Sequence, residues 1–567
     1  MILFKIFYPC NTSRYYLYKY KYKYKYKYKH KLIFNTISLA IMFIENIIIG
    51  AGPAGLQLGY FFEKHNIDYI ILEKSNTCGS FFDKYPHSGQ LISVNKKYTG
   101  SDNFDFNLRH DWNSLLNDDN ILFTKFDDDY YPSNEHLVNY LNHFKQHYNL
   151  KVNYNCNVKL ITKTDEGHYN ILLEDGTNYK CTKLITATGL SLPNYPNIKT
   201  EVINQIPHYH SFEKKYFKQK ENLEHFKNKK ILIVGQGNSA MELANLLNEV
   251  SSSILIYARR INQWASSSHY AGHIRSKYLP FLDTFLLKSL NGINYFSDNT
   301  ISIIQHENNG KYIINECVDG MTIKHTREYD KVIFCTGWKF NKDIFDFNID
   351  TVRNNKYPNL TFNSESTNNP NLYFIGSLMH PLDGFKSSGG FIHGFRYLIK
   401  NFFALNYNSD LFVKKIFHLD DELNTINVLS KYVFNRLNTT SSLYQMYGVL
   451  CDFFVYNSAE KQFLYMHDLT HTNIKNIAFP EKRFNYFTIS LEYGKKPVTD
   501  IYQLGLKVSN MGEECNSTLL HPVLRIYNEQ HYIIDIYHFD ENLFAEFTDP
   551  YFYHNKLNSL IKGYYLR

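Results

Sequence analysis

An α/β chain is predicted: two parallel-sheet units, the first interrupted by the second, followed by a strand-containing C-terminal appendage. Three observations carry that prediction. The branched aliphatics of "NIIIG" run into Gly50-Ala51-Gly52-Pro53-Ala54-Gly55 and then an apolar, helix-like stretch. The pattern returns in "KKILIVGQGNSAMELANLL" (229–247), and two similar strand-plus-Thr-Gly segments, "KLITATG" and "KVIFCTG", stand on either side of that second copy. At 567 residues the chain exceeds what one hydrophobic core supports, so more than one domain is required.

The N-terminal segment 1–41 is low-complexity or a targeting segment. Its Tyr/Lys alternation, "RYYLYKYKYKYKYKYKHK" (14–31), holds much of the formal +7 charge, which leaves little case for nucleic-acid binding by the folded part. "LIFNTISLA", ending at Ala40, outlines a secretory signal peptide, whereas Met42 offers an alternative start and a cytoplasmic address. No stretch approaches the ~20 uninterrupted apolar residues of a transmembrane span. Hydrophobic residues make up 44% and charged residues 20%, a globular rather than disordered balance. The eight cysteines are scattered without CxxC spacing, which disfavours a zinc site and a local redox dithiol, and no metal is expected.

The first unit spans 42–195. In its G-x-G-x-x-G turn, Gly50 makes the tight bend, Gly52 admits a pyrophosphate to the backbone, and Gly55 lets helix and strand pack closely. The next strand, "YIILEK", ends in Glu73, about 20 residues on, where a ribose hydroxyl needs an acceptor. The second unit spans 225–330. It carries Gly235, Gly237 and Ala240 in the glycine positions, with Asn238 and Ser239 opening the helix. The following strand, "ILIYARR", ends in Arg259 and Arg260 instead of an acid, which favours the 2′-phosphate of NADPH; the alternative is a solvated basic edge. An acid in the first Rossmann-like unit and arginines in the second is the layout of an FAD protein reduced by a nicotinamide.

Thr188 and Gly189 mark the exit from the first unit, and 331–404 is read as its second part. That part ends a strand at Gly376 and offers Gly389 and Gly390 before the helix-like "FIHGFRYLIKNFF", whose start can support negative charge on a flavin. Residues 405–567 alternate apolar and aromatic stretches and have no catalytic pattern, which suits a region that meets a protein partner. The Asn-x-Ser/Thr sequons at Asn11, Asn359, Asn438 and Asn516 decide nothing in so Asn-rich a chain.

"GAGPAGLQLGYF", "GSFFDKYPHSGQLISVNKKYTG", "FNLRHDWNSLL", "ATGLSLPN", "GQGNSAMELA", "LDTFLLKSLNG", "SSGGFIHGFRY" and "SSLYQMYGVL" together cover about residues 45 to 450. In these the chain resembles the FAD-dependent oxidoreductase domain-containing proteins, the family of the ER flavoprotein associated with degradation, which is related to flavin-containing monooxygenases. The resemblance implies bound FAD, two dinucleotide domains, and a role in the ER lumen in disposal of misfolded glycoproteins. Three features depart from the family pattern: the N-terminus is compositionally odd, the chain ends "GYYLR" without an ER-retention tetrapeptide, and only "IPHYHSF" (206–212) stands where the monooxygenases carry F-x-G-x-x-x-H. Monooxygenases use an asparagine near the flavin to stabilise the oxygen adduct, and Asn95 falls at the matching place; the competing role is a turn residue bonding backbone. Cys78 lies behind Glu73 without a partner cysteine and reads as an inert thiol, and His380 and His393 are candidate proton relays. The expected activity is NADPH-dependent reduction of FAD, with electrons passed to an unknown acceptor or small substrate. A monooxygenase and a non-enzymatic FAD-stabilised adaptor are the alternatives.

Overall fold

The structure, a computed structural model, describes residues 42–565 apart from 197–202, 259–262, 289–291, 297–299, 306–308, 319–320, 413, 419–421, 458, 475–484 and 496–511. Segment 1–41 therefore lies outside the described residues, as do Arg259 and Arg260.

Three consecutive isoleucines at 47–49 form β1 (Asn46–Ile49), buried on both faces as a central parallel strand requires. It leads into α1 (Pro53–Lys64), which opens on a proline at a position where a missing N–H costs nothing. β2 (Tyr69–Leu72), α2 (Asn134–His147), β3 (Val152–Asn153) and β4 (Lys183–Thr186) follow. The chain then builds β5 (Lys230–Val234), α3 (Asn238–Leu247), β6 (Ser253–Ala258), β7 (Gly292–Phe296) and β8 (Lys331–Phe334). β9 (Asn369–Phe374) and α4 (Ile392–Asn406) complete the nucleotide units.

β9, β4, β1, β2 and β3 lie side by side as a parallel sheet, and the short strand Glu365–Ser366 adds an antiparallel edge. The second sheet runs β7-β6-β5-β8, parallel throughout. β1 and β5 hold the same central place in their sheets. The sequence reading put residue 331 at the re-entry to the first unit; the structure corrects this. β8 pairs with β5, Ile231 opposite Lys331 and Val234 opposite Phe334, so re-entry comes after it. Apolar strands ending in Thr-Gly close both units, which is why the pattern alone misplaced the boundary. Tyr209 and Phe217, upstream of the expected start at 225, also belong to the second core.

The C-terminal region comprises β10 (Lys414–His418), α5 (Glu422–Thr439), β11 (Leu450–Asn457), β12 (Gln462–Thr470), β13 (Tyr486–Glu492), β14 (His521–Tyr527), β15 (Ile533–His538) and α6 (Asn555–Tyr565). Its strands form an antiparallel sheet in the order β10-β12-β11-β13-β14-β15. The strands expected in this C-terminal appendage form, and the appendage packs on the first unit through a shared core. One continuous core joins Ile48 and Phe62 of the first unit, Phe402 and Phe403 of α4, Phe434 of α5, and Phe454 and Leu524 of the new sheet. The physical reason is α4, a helix buried along nearly its whole length, which has cover on both sides. Two buried arginines add polar ties. Arg396 on α4 donates to the carbonyls of Leu108, Asp111 and Ser114, and Arg109 donates to those of Leu437 and Thr440 at the end of α5. No helix among the described residues is long and apolar enough to cross a membrane.

Candidate functional site

At the end of β1, Gly50 adopts φ +104°, and a Cβ there would stand 2.9 Å from the Ala187 carbonyl oxygen. A Cβ on Gly55 would stand 2.0 Å from the Gly50 oxygen, so helix and turn touch through backbone. At Gly52 the Cβ position opens onto space with nothing within 4 Å, and no side chain caps α1. First-turn amides and an open approach fit the pyrophosphate of FAD. Glu73, 4% exposed, turns inward: one carboxylate oxygen accepts from the Ala51 N–H at 2.7 Å, the other from Ser75 N–H at 3.0 Å and Ser80 Oγ at 3.2 Å. The acid expected at a ribose is thus the pin of the glycine turn. Three donors leave it one lone-pair direction for a ribose hydroxyl.

The other first-unit residues close over this turn. Gly189 brings Ser377 near, its Cβ position lying 3.3 Å from Ser377 Oγ, with Thr188 just before it. Gly376 lets the end of β9 reach the start of α1, a Cβ there lying 2.5 Å from the Ala54 Cβ. Gly389 and Gly390 differ from expectation. Their Cβ positions fall 2.6 Å from Asp383 Oδ2 and 2.5 Å from His380 Nδ1, so their smallness makes room for those side chains. Gly389 N–H donates to Asp383 at 2.7 Å, which uses one of the amides expected to face a flavin. The α4 terminus beyond has no side-chain cap.

The second turn repeats the first. Gly235 adopts φ +115° with its Cβ position 2.2 Å from the Cys335 oxygen, Gly237 opens onto space, and α3 lacks a side-chain cap. Ala240 is fully buried in the second core, and Ser239 beside it is half-buried. Asn238 departs from the expected nucleotide contact. Its Nδ2 donates to the His273 carbonyl at 2.9 Å, and its Oδ1 accepts from the Arg275 N–H at 3.0 Å, clamping the loop through 272–275.

That loop carries the residues the sequence reading missed. Tyr270 hydroxyl meets His380 Nε2 at 3.2 Å, joining the second unit to the segment after Gly376. The Arg275 guanidinium lies 4.7 Å over the Trp112 ring, and Trp112 stacks on His393 at 4.0 Å. His393 is buried, and its Nε2 has no hydrogen-bond partner among the described residues. Burial, and then neighbouring cationic groups, keep both histidines neutral: His380 is pushed down to about 3, and His393 well below the usual range beside Arg396 and Arg275. A neutral imidazole accepts or donates a hydrogen bond here without bringing charge. A second tie is Glu242 on α3, which accepts from Tyr209 hydroxyl at 2.7 Å and from the first-unit Ser88 N–H at 2.6 Å. Tyr270 and His380 lie 110 residues apart, and no spacing rule connects them.

Asn95 is buried, and its Nδ2 donates to the carbonyls of Asp127 at 2.7 Å and Asp129 at 3.3 Å, with its Oδ1 unpartnered among the described residues. Cys78 is a buried free thiol beside Tyr154 hydroxyl, and burial pushes it up to about 11, away from a reactive thiolate.

The model of the pyridine nucleotide-disulphide oxidoreductase family matches residues 47–376. FAD-dependent oxidoreductase domain-containing protein 2 of Mus musculus is 32% identical over 518 residues, spanning 85% of this chain and 75% of the mouse protein. Its namesake in Danio rerio is 31% identical over 537 residues, with the same shares. Probable indole-3-pyruvate monooxygenase YUCCA1 of Arabidopsis thaliana is 24% identical over 394 residues, covering 61% of this chain and 88% of the plant protein.

Proposed function

The chain belongs to the pyridine nucleotide-disulphide oxidoreductase family, among its FAD-dependent oxidoreductases, and on that premise we propose that it takes hydride from NADPH and delivers electrons to a small acceptor. One observation carries the reading: β1 and β5 end in the same turn, and Gly52 and Gly237 each leave the approach to backbone open. The chemistry FAD supplies when bound is acceptance of a hydride and its release to an acceptor. The chain's own residues do the rest. Glu73 holds the first turn in shape, and Asn238 holds the loop that carries Tyr270 to His380. Trp112 stacks on His393 at the start of α4.

Anaerobic titration of the purified protein with NADPH and NADH, followed by flavin absorbance, tests this. We expect bleaching, with NADPH favoured at least tenfold if Arg259 and Arg260 hold its 2′-phosphate, since one charge-assisted contact contributes about 1.5–3 kcal/mol. No bleaching by either cofactor would leave only the first site working and favour the adaptor.

A monooxygenase reading draws on the plant relative's name and on the buried Asn95. Substrate-dependent oxygen uptake by the NADPH-reduced protein would favour it. Residence in the ER lumen is part of the same proposal, and protease protection in microsomes tests it.

A further inference from the structure

Beside His380, where the second unit meets the first, stand two cations without a counter-charge. The short antiparallel strands Thr351–Val352 and Tyr357–Pro358 are joined by a tip in which Arg353, Asn354 and Asn355 take left-handed backbone, at φ +53°, +57° and +61°. This hairpin lies against the segment that follows Gly376. The Tyr357 ring is 6.0 Å from that of His380 and 5.0 Å from that of Phe385, which is itself 4.8 Å from His380. Arg353 is exposed and sets its guanidinium 3.5 Å over the Phe385 ring. Lys356 is half-buried and holds its Nζ 5.5 Å from the Tyr357 ring.

Among the described residues no hydrogen bond or ion pair reaches either charged group, and both heads keep contact with solvent. The carboxylates close by in the chain are engaged elsewhere. Asp383, its side chain 0% exposed, accepts from Phe385 N–H, Ser387 Oγ and Gly389 N–H, and Asp350 at the root of the hairpin accepts from Asn348 Nδ2 and Thr367 Oγ1. Burial, and then Arg353 beside it, push the Lys356 ammonium down. Burial, and then Lys356 and Arg353, push His380 down, so both cations are within electrostatic reach of the ring that Tyr270 meets. A partly buried ammonium is costly unless an anion offsets it, and a second cation at its side adds to the cost. A guest that brings a carboxylate removes both penalties and offers the guanidinium two oxygens.

We propose that Arg353 and Lys356 anchor a small carboxylate at the rim of the junction, beside Tyr357 and Phe385. The site is apart from both glycine turns, and its binding does not depend on the redox reading.

Titration calorimetry on the FAD-loaded protein with 3-phenylpropanoate, and with 3-phenylpropanamide, a molecule of the same shape without the charge, tests it. The carboxylate should bind at least about tenfold more tightly than the amide. Arg353→Gln, at an exposed position, and Lys356→Met, which keeps the length of the side chain, should each remove most of that preference with flavin absorbance and circular dichroism unchanged. Lys356→Arg, which keeps the charge, should retain it. Should Lys356→Met fail to fold, Arg353→Gln decides. No binding of the carboxylate, equal affinity for carboxylate and amide, or a preference that survives in the folded variants would overturn the proposal. So would a loss of NADPH affinity in those variants with carboxylate binding intact, which would give these charges to the phosphates of the nicotinamide. Bleaching of the flavin by NADPH, read on the same samples, separates failure of the redox reading from failure of this one.

Discussion

The two glycine turns look alike and are anchored in opposite directions. In the first, Glu73, from the end of the neighbouring strand, fastens the turn to its own sheet. In the second, Asn238 fastens the helix start to a loop that leaves the unit and reaches His380. The third position differs in the same sense. Gly55 presses on the Gly50 carbonyl, whereas Ala240 tolerates a methyl group. The first turn is therefore a rigid cradle, and the second is a cradle with a connection to the rest of the molecule.

The harshest way to break this comparison is Gly55→Ala. Helix propensity alone would make that change stabilising by about 1 kcal/mol. A methyl group 2.0 Å from a backbone oxygen reverses the sign, and we expect a loss of at least about 3 kcal/mol, with flavin content falling too. Ala240→Gly should cost only about 1 kcal/mol. Urea unfolding gives both, and equal costs would contradict the difference in tightness.

Acid is the next probe. His87 and His208 at the second unit and His269 in the connecting loop are pushed down to about 4, and His380 to about 3, each chiefly by burial. A histidine depressed in the folded state takes its proton more readily when unfolded. The stability it contributes is present above the unfolded value of about 6.5 and is lost as pH falls toward 4 and then 3. Melting temperature should therefore fall steadily below pH 6.5, and junction contacts should fail before flavin is released. A flat profile from 7 to 4 would show these groups titrating normally.

Glu73→Ala leaves the Ala51 N–H buried without an acceptor, at about 1–3 kcal/mol, and should weaken FAD. Asn238→Ala, by contrast, should slow flavin reduction by NADPH and leave FAD affinity unchanged; equilibrium dialysis and stopped-flow absorbance separate the two. The smallest effect is expected from Tyr270→Phe, about 0.5–1.5 kcal/mol, read as a modest slowing of reduction with FAD affinity constant.

What the sequence disclosed follows from which physical constraints are local. A left-handed turn against a carbonyl leaves glycine as its only comfortable residue, so Gly50 and Gly235 could be found from spacing. Parallel central strands read as runs of Ile, Leu and Val, so both sheets could be found too. The spacing places Glu73 at the end of its strand, but its inward bond to Ala51 depends on where its carboxylate points, which no motif encodes. Gly389 and Gly390 were seen as small without any sign that Asp383 and His380 claim the space. Tyr270, Trp112 and Arg275 meet only when two units dock, and docking leaves no periodic mark.

The helix α4, covered on one side by the first unit and on the other by the C-terminal sheet, has a consequence for how the protein is made. The side of α4 that meets the C-terminal sheet, with Ala404 and Leu405, stays uncovered on the nascent chain until the ribosome has finished residues 405–567. At about 5–20 residues per second that is a wait of roughly 10 to 30 s with that side open to other chains. A chain cut short just past α4 would keep that apolar side open to solvent, and we expect it to aggregate where the full chain stays dispersed.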